Sequence, residues 1–126
     1  MLIKKIESYE SFEEFTKQYK YLFVNISADW CRPCMAIKPK IEKFISVINE
    51  SDFIYLLLDN NIYDTDERFH KYFKISQIPY FSFIENKLIK ESFVNGDFYF
   101  VSKRLLELIN YTRENIKKNI LDNKLD

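Results

Sequence analysis

The sequence predicts an α/β domain in which a central mixed β-sheet carries helices on both faces. Three observations predict it. Strand-like and helix-like hydrophobic periods alternate along most of the chain, the pattern of parallel strands joined by helical crossovers. Two runs, Tyr21 to Ser27 and Phe53 to Leu58, are almost continuously apolar, as strands buried on both faces are. Tyr80 to Ile84 and Leu88 to Val94 flank Glu85-Asn86-Lys87, so they read as an antiparallel hairpin that completes the sheet.

The elements follow in order. Residues 2–6 suit a short edge strand. Ser11 and Glu14 have capping-box spacing ahead of Phe12, Phe15 and Tyr19, which share one helical face. After the Tyr21 to Ser27 strand, Ile37, Ile41, Phe44, Ile45 and Ile48 recur at three and four, giving an amphipathic helix that starts near Cys31. Pro39 removes one donor from that helix and should bend it. Asp64 with Glu67 is spaced to cap a further helix to about Phe73. In the hairpin turn Lys87 is a poor residue if positive φ is required. Beyond Gly96 and Asp97, Val101, Leu105, Leu108, Ile109, Thr112, Ile116 and Ile120 keep helical spacing, and Phe98, Tyr99 and Phe100 are expected in the core. Residues 1–110 are read as one domain and 111–126 as a helical extension of it.

A chain of 126 residues that is 47% hydrophobic, with 12 Phe and 9 Tyr, has material for one core and is not disordered. Nineteen basic residues balance nineteen acidic ones, so no global field favours nucleic acid or an anionic membrane. The first residues meet charge at Lys4, too early for a secretion signal, and no apolar run is long enough to span a bilayer. The expected compartment is the cytoplasm, and a monomer is expected.

Trp30-Cys31-Arg32-Pro33-Cys34 holds both cysteines and the single tryptophan. It lies where a strand feeds a helix. Two thiols at a spacing of three can close and reopen a small disulfide ring, and a helix N-terminus favours the thiolate that performs the exchange. A reduced structural pair, half of a zinc site, and a binding module without turnover are the alternatives. Zinc requires about four ligands, and His70, the sole histidine, belongs to a different helix and reads as a surface residue. Neither a metal nor an organic cofactor is expected.

From Tyr21 to Ile109 the chain resembles the thioredoxin family, and it does so in its prolines as well as its cysteines. Pro39 follows the second cysteine by five residues, Ile78-Pro79 stands where the family places a cis-proline opposite the cysteines, and Pro33 lies inside the motif. The resemblance implies the thioredoxin fold and thiol-disulfide exchange with protein substrates. It implies that Cys31 attacks, that Cys34 resolves, and that Trp30, Leu58, Ile78 and Pro79 form an apolar docking surface. A thiol or reductase then supplies electrons.

The departures are informative. Asn25 and Tyr55 stand where the family has a buried aspartate and its partner lysine, so Asn25 cannot act as a base, and both members of that ion pair are replaced together. Arg32 replaces a glycine, and a guanidinium beside Cys31 should stabilise the thiolate. The expected reduction potential is therefore above the thioredoxin value of about −270 mV. Gln77 replaces a small residue before Ile78, and Tyr80 replaces a threonine after Pro79. That bulk is expected to narrow the substrate range.

Overall fold

The computed structural model describes residues 1–125. In chain order it contains β1 (Leu2–Lys5), α1 (Tyr9–Gln18), β2 (Tyr21–Ser27), α2 (Arg32–Ser46), β3 (Phe53–Asp59), α3 (Asn60–Asp64), α4 (Glu67–Tyr72), β4 (Tyr80–Glu85), β5 (Leu88–Val94) and α5 (Phe98–Leu125). The strands lie in the order β1-β3-β2-β4-β5. β1 and β2 run parallel to β3, whereas β4 is antiparallel to β2 and β5 to β4. The expected mixed sheet is therefore present, with β2 at its centre.

Alternation along β2 divides the interior in two. Leu22, Val24 and Ile26 face Phe12 of α1, Tyr63 of α3 and Phe69 of α4. Tyr21 and Phe23 face the opposite side, with Tyr55, Phe81 and Phe83, against Ile37 and Ile41 of α2 and Val101 and Leu105 of α5. On this second face Tyr21, Phe53 and Phe83 stack across three strands with centroids 5.6–6.5 Å apart. Such cross-strand aromatic contacts add about 0.5–1.5 kcal/mol each beyond area burial.

Several helix ends differ from expectation. α1 starts three residues before the expected box: Ser8 is its N-cap, accepting from the Ser11 amide at 3.1 Å, while the Ser11 hydroxyl accepts from the Ser8 amide at 3.1 Å. Ser11 thus makes the return bond usually left to Glu or Gln, and Glu14 turns to Lys17 on the surface. The single helix expected from Asp64 is two helices. Asp59 caps α3 through the Asn61 amide, 2.8 Å, and Asp66 caps α4 through the Arg68 amide, 3.0 Å. Aspartate oxygens that compete for backbone donors end one helix and start the next.

α2 runs unbroken through Pro39, on its exposed side, and ends at Ser46, so Ile48 reaches the core from beyond the helix. The hairpin turn has positive φ at Asn86, 52°, and at Lys87, 66°, as the expectation about Lys87 anticipated. The aromatic triple at the start of α5 corrects the core reading. Phe98 alone packs inward, edge-on to Phe44 at 5.9 Å, while Tyr99 is 71% exposed and Phe100 leans on Phe93 from outside. Along α5 burial ends at Thr112, Ile116 is half-buried, and Ile120 and Leu121 face out. Among the described residues no helix is long and apolar enough to cross a membrane.

Candidate active site

β2 ends in Ser27, and Ala28, Asp29 and Trp30 turn the chain into α2. Trp30 is 67% exposed although it is the largest side chain of the turn. Cys31 is the N-cap of α2, and its sulfur accepts from the Cys34 amide at 3.3 Å. Pro33 sits in the first turn, where a missing N–H costs nothing. The two cysteines are joined in a disulfide, with Cα atoms 5.3 Å apart. They differ in access: Cys31 is 8% exposed and Cys34 is 1% exposed. A helix amide on the outer sulfur stabilises negative charge there, so a reduced Cys31 is both the reachable and the electrostatically favoured thiolate.

Ile78-Pro79 is a cis peptide, and the Ile78 carbonyl oxygen lies 4.0 Å from Cys31 Sγ. Cys31, Ile78 and Pro79 thus meet at the end of β2, with Ile78 packing on the Ala28, Cys31 and Cys34 cluster, Pro79 buried, and Trp30 exposed next to Cys31 in the chain. Arg32 and Pro33 are exposed beside it, and Arg32 enters no ion pair among the described residues.

Two expected members are elsewhere. Leu58 is 1% exposed within the core, because β3 is flanked by β1 and β2 and this residue shares the inward face with Leu56, so it is no part of the exposed surface beside Cys31. Tyr80 is likewise buried, edge-on to Phe73 at 6.3 Å, and its bulk cannot narrow the substrate range; Gln77 remains exposed. His70 lies on α4, its ring 4.5 Å from that of Tyr63 and its Nε2 3.7 Å from Asp64, away from the cysteines.

One member went unread. A Cβ on Gly96 would stand 3.1 Å from Pro33 Cβ and 3.9 Å from Pro79 Cγ, so this glycine lets the chain after β5 close against both prolines. The Asn95 amide bonds to the Pro79 carbonyl at 3.3 Å and holds that approach. Its signal was its solitude: one glycine in the chain, just after a strand.

Below the cysteines, on the α2 side of the sheet, Asn25 is buried on β2 with Phe81 and Leu57 as strand neighbours. Neither Asn25 Oδ1 nor the Tyr55 hydroxyl finds a partner at hydrogen-bond geometry, although the Tyr55 hydroxyl lies toward the Asn25 side chain. Burial pushes the Tyr55 phenol well above its usual range, Asn25 pulls the other way, and Glu42 adds to the rise. The pair is neutral and cannot accept a proton near neutral pH.

The family profile described as Thioredoxin matches residues 3–100. The chain belongs to the thioredoxin family. It is 29% identical to the thioredoxin of Neurospora crassa over 94 residues, which span 75% of this chain and 71% of that protein. Thioredoxin-1 of Schizosaccharomyces pombe is 33% identical over 58 residues, 46% of this chain and 56% of that one. The crystal structure of Malassezia sympodialis thioredoxin superposes with a TM-score of 0.70 at 25% identity, covering 85% of this chain and 93% of the other. Thioredoxins are protein-disulfide oxidoreductases, and this chain, with its paired cysteines, is a thiol-disulfide oxidoreductase of that kind. Most of α5 lies outside the stretch that matches the family.

Proposed function

We propose that Cys31 attacks disulfides of protein substrates and that Cys34 resolves the product. The observation that carries this is the asymmetry of the pair: only Cys31 combines surface access with a helix amide on its sulfur. In the reducing direction the Cys31 thiolate attacks one sulfur of the substrate disulfide. A mixed disulfide forms, and the other substrate sulfur leaves as a thiolate that takes a proton from solvent. Cys34 then loses its proton and attacks Cys31 Sγ, releasing the second substrate thiol and closing the Cys31–Cys34 bond. Two electrons pass to the substrate, and a cellular thiol or a reductase returns them.

Trp30, Ile78 and Pro79, joined by Gly96, form the apolar platform in this reading. The cis-proline has no N–H and its carbonyl is held by the Asn95 amide, so the backbone left for an extended substrate strand is that of Ile78. Pro33 and Arg32 set the surroundings of Cys31, with Arg32 raising the potential. Asn25 supplies no base, so the second step is slow near neutral pH and mixed disulfides persist. The reading places a monomer in the cytoplasm, with 1–110 as the working domain and 111–126 extending it; the unbroken course of α5 to Leu125 supports the latter, Asp126 lying outside the described residues.

A Cys34→Ser variant tests the assignment. It should capture substrate proteins covalently, with release by dithiothreitol, while Cys31→Ser captures none. Equal capture by both variants would overturn the roles given to the two sulfurs. Asn25→Asp should accelerate the resolving step measured by rapid quench, and an unchanged rate would remove the account of its absence.

A further inference from the structure

A pocket of about 310 Å³ opens beside the disulfide on the side away from Pro79. It lies at the carboxyl ends of the parallel strands β1, β2 and β3, the place where open α/β sheets leave a crevice for ligands. Leu57, Met35 and Ile62 form its half-buried walls, with Ile6 and Leu58 at its base. Ser27 makes the space: β2 carries large side chains from Tyr21 to Ile26 except at Asn25, then ends in a hydroxymethyl group that leaves the crevice unfilled.

Two walls are shared with the reactive site. Ala28 and Met35 line the pocket and also pack around Cys31 and Cys34. The sheet order sets the rest. β4, which follows Pro79, flanks β2 on one side, and β3 and β1 flank it on the other, so Cys31 stands between the cis-proline and the pocket. A polypeptide lying on Ile78 with its sulfur at Cys31 can continue across the end of β2 toward this opening.

The rim carries two lysines, Lys5 and Lys38, and three carboxylates, Glu7, Asp29 and Asp59. Mixed charge of this kind gives no net field to draw a phosphate or nucleotide. Selection is left to the apolar interior.

From this continuity we propose that the pocket is a specificity subsite for a bulky apolar side chain, aromatic foremost, of the substrate polypeptide, a few residues from its reacting cysteine. This rests on Cys31 as the attacking thiol.

The test uses the reduced full chain and symmetrical disulfide dimers of short peptides that carry Ala, Leu, Phe or Trp near the cysteine, with hydroxyethyl disulfide as a probe lacking side chains. The wild type should react at least about tenfold faster with one aromatic register than with its alanine counterpart. In Ser27→Phe, which fills the pocket, that ratio should fall to within about twofold. Ile62→Ala, which widens the pocket from α3 without changing β2, should move the optimum from Phe toward Trp. Equal rates for alanine and aromatic peptides in the wild type, or a ratio retained in Ser27→Phe with an unmoved optimum in Ile62→Ala, would overturn the subsite. Reaction with hydroxyethyl disulfide in that case leaves the attacking-thiol reading standing. Failure to react with any disulfide would defeat that reading and the subsite with it.

Discussion

Replacing Asn25 with aspartate places a carboxylate in a buried neutral slot, and its cost can be worked from the surroundings. The strand neighbours are Phe81 and Leu57, and the polar group nearby is the Tyr55 hydroxyl, itself without a partner. Desolvation should raise the folded-state pKa of Asp at this position by about 3 units above its unfolded value of about 3.9. At 1.36 kcal/mol per unit that is about 4 kcal/mol, and a bond donated by Tyr55 to the carboxylate offsets about 1–2 kcal/mol. A net cost of about 2–3 kcal/mol at pH 8 remains, tolerable within the usual 5–15 kcal/mol of a domain. Because the folded state holds the proton more tightly, the cost is absent below the unfolded pKa and grows as pH rises through the folded one. Urea denaturation of both proteins at pH 4 and pH 8 measures it. With a slope of about 1.5 kcal/mol per M, the variant's midpoint should lie about 1.3–2 M below wild type at pH 8 and close to it at pH 4. The same midpoint difference at both pH values would refute the reasoning, since a packing defect has no proton linkage.

Other substitutions probe separate parts of the molecule. Arg32→Gly should lower the reduction potential by about 10–20 mV, the two-electron equivalent of an exposed charge contributing under about 1 kcal/mol, in a glutathione titration followed by Trp30 fluorescence; an unchanged or higher potential would reject the cause assigned to Arg32. Lys87→Gly removes a side chain from φ 66° and should raise stability by about 0.5–1 kcal/mol, read as a higher thermal midpoint. Phe12→Ala empties a fully buried site ringed by Tyr9, Phe69, Tyr72 and Phe73 and should cost about 3–5 kcal/mol by chemical denaturation.

The strands were legible because their residues are β-branched or aromatic and leave no helical alternative, and the reactive pair because its chemistry is local to five residues. What escaped the sequence shares one property: the deciding neighbour is distant in the chain. Between β3 and β4 three aspartates, Asp59, Asp64 and Asp66, can each cap a helix, and packing of Tyr63 and Phe69 into the core selects the first and third. A strand buried on both faces carries no alternation that would reveal Leu58 as enclosed. Phe98, Tyr99 and Phe100 are all aromatic, so composition does not tell which one points inward; Phe44 on α2 settles it. Gly96 acquires meaning only when Pro33 and Pro79, far apart in the chain, meet it.

The disulfide closes a ring over only three residue steps. A cross-link this short removes little freedom from the unfolded chain, about 2 kcal/mol in the loop-entropy model against nearly 5 for a loop of about 100 residues. Opening it therefore removes only about 2 kcal/mol from the roughly 5–15 kcal/mol that keep a domain folded. The two aromatic cores can stay assembled while the bond is made and broken, so each catalytic cycle returns the same molecule. On the two-electron scale those 2 kcal/mol are only about 40 mV. The couple's poise is then largely a property of the sulfur's immediate surroundings, and it can be retuned by surface substitutions with little effect on the fold that carries it.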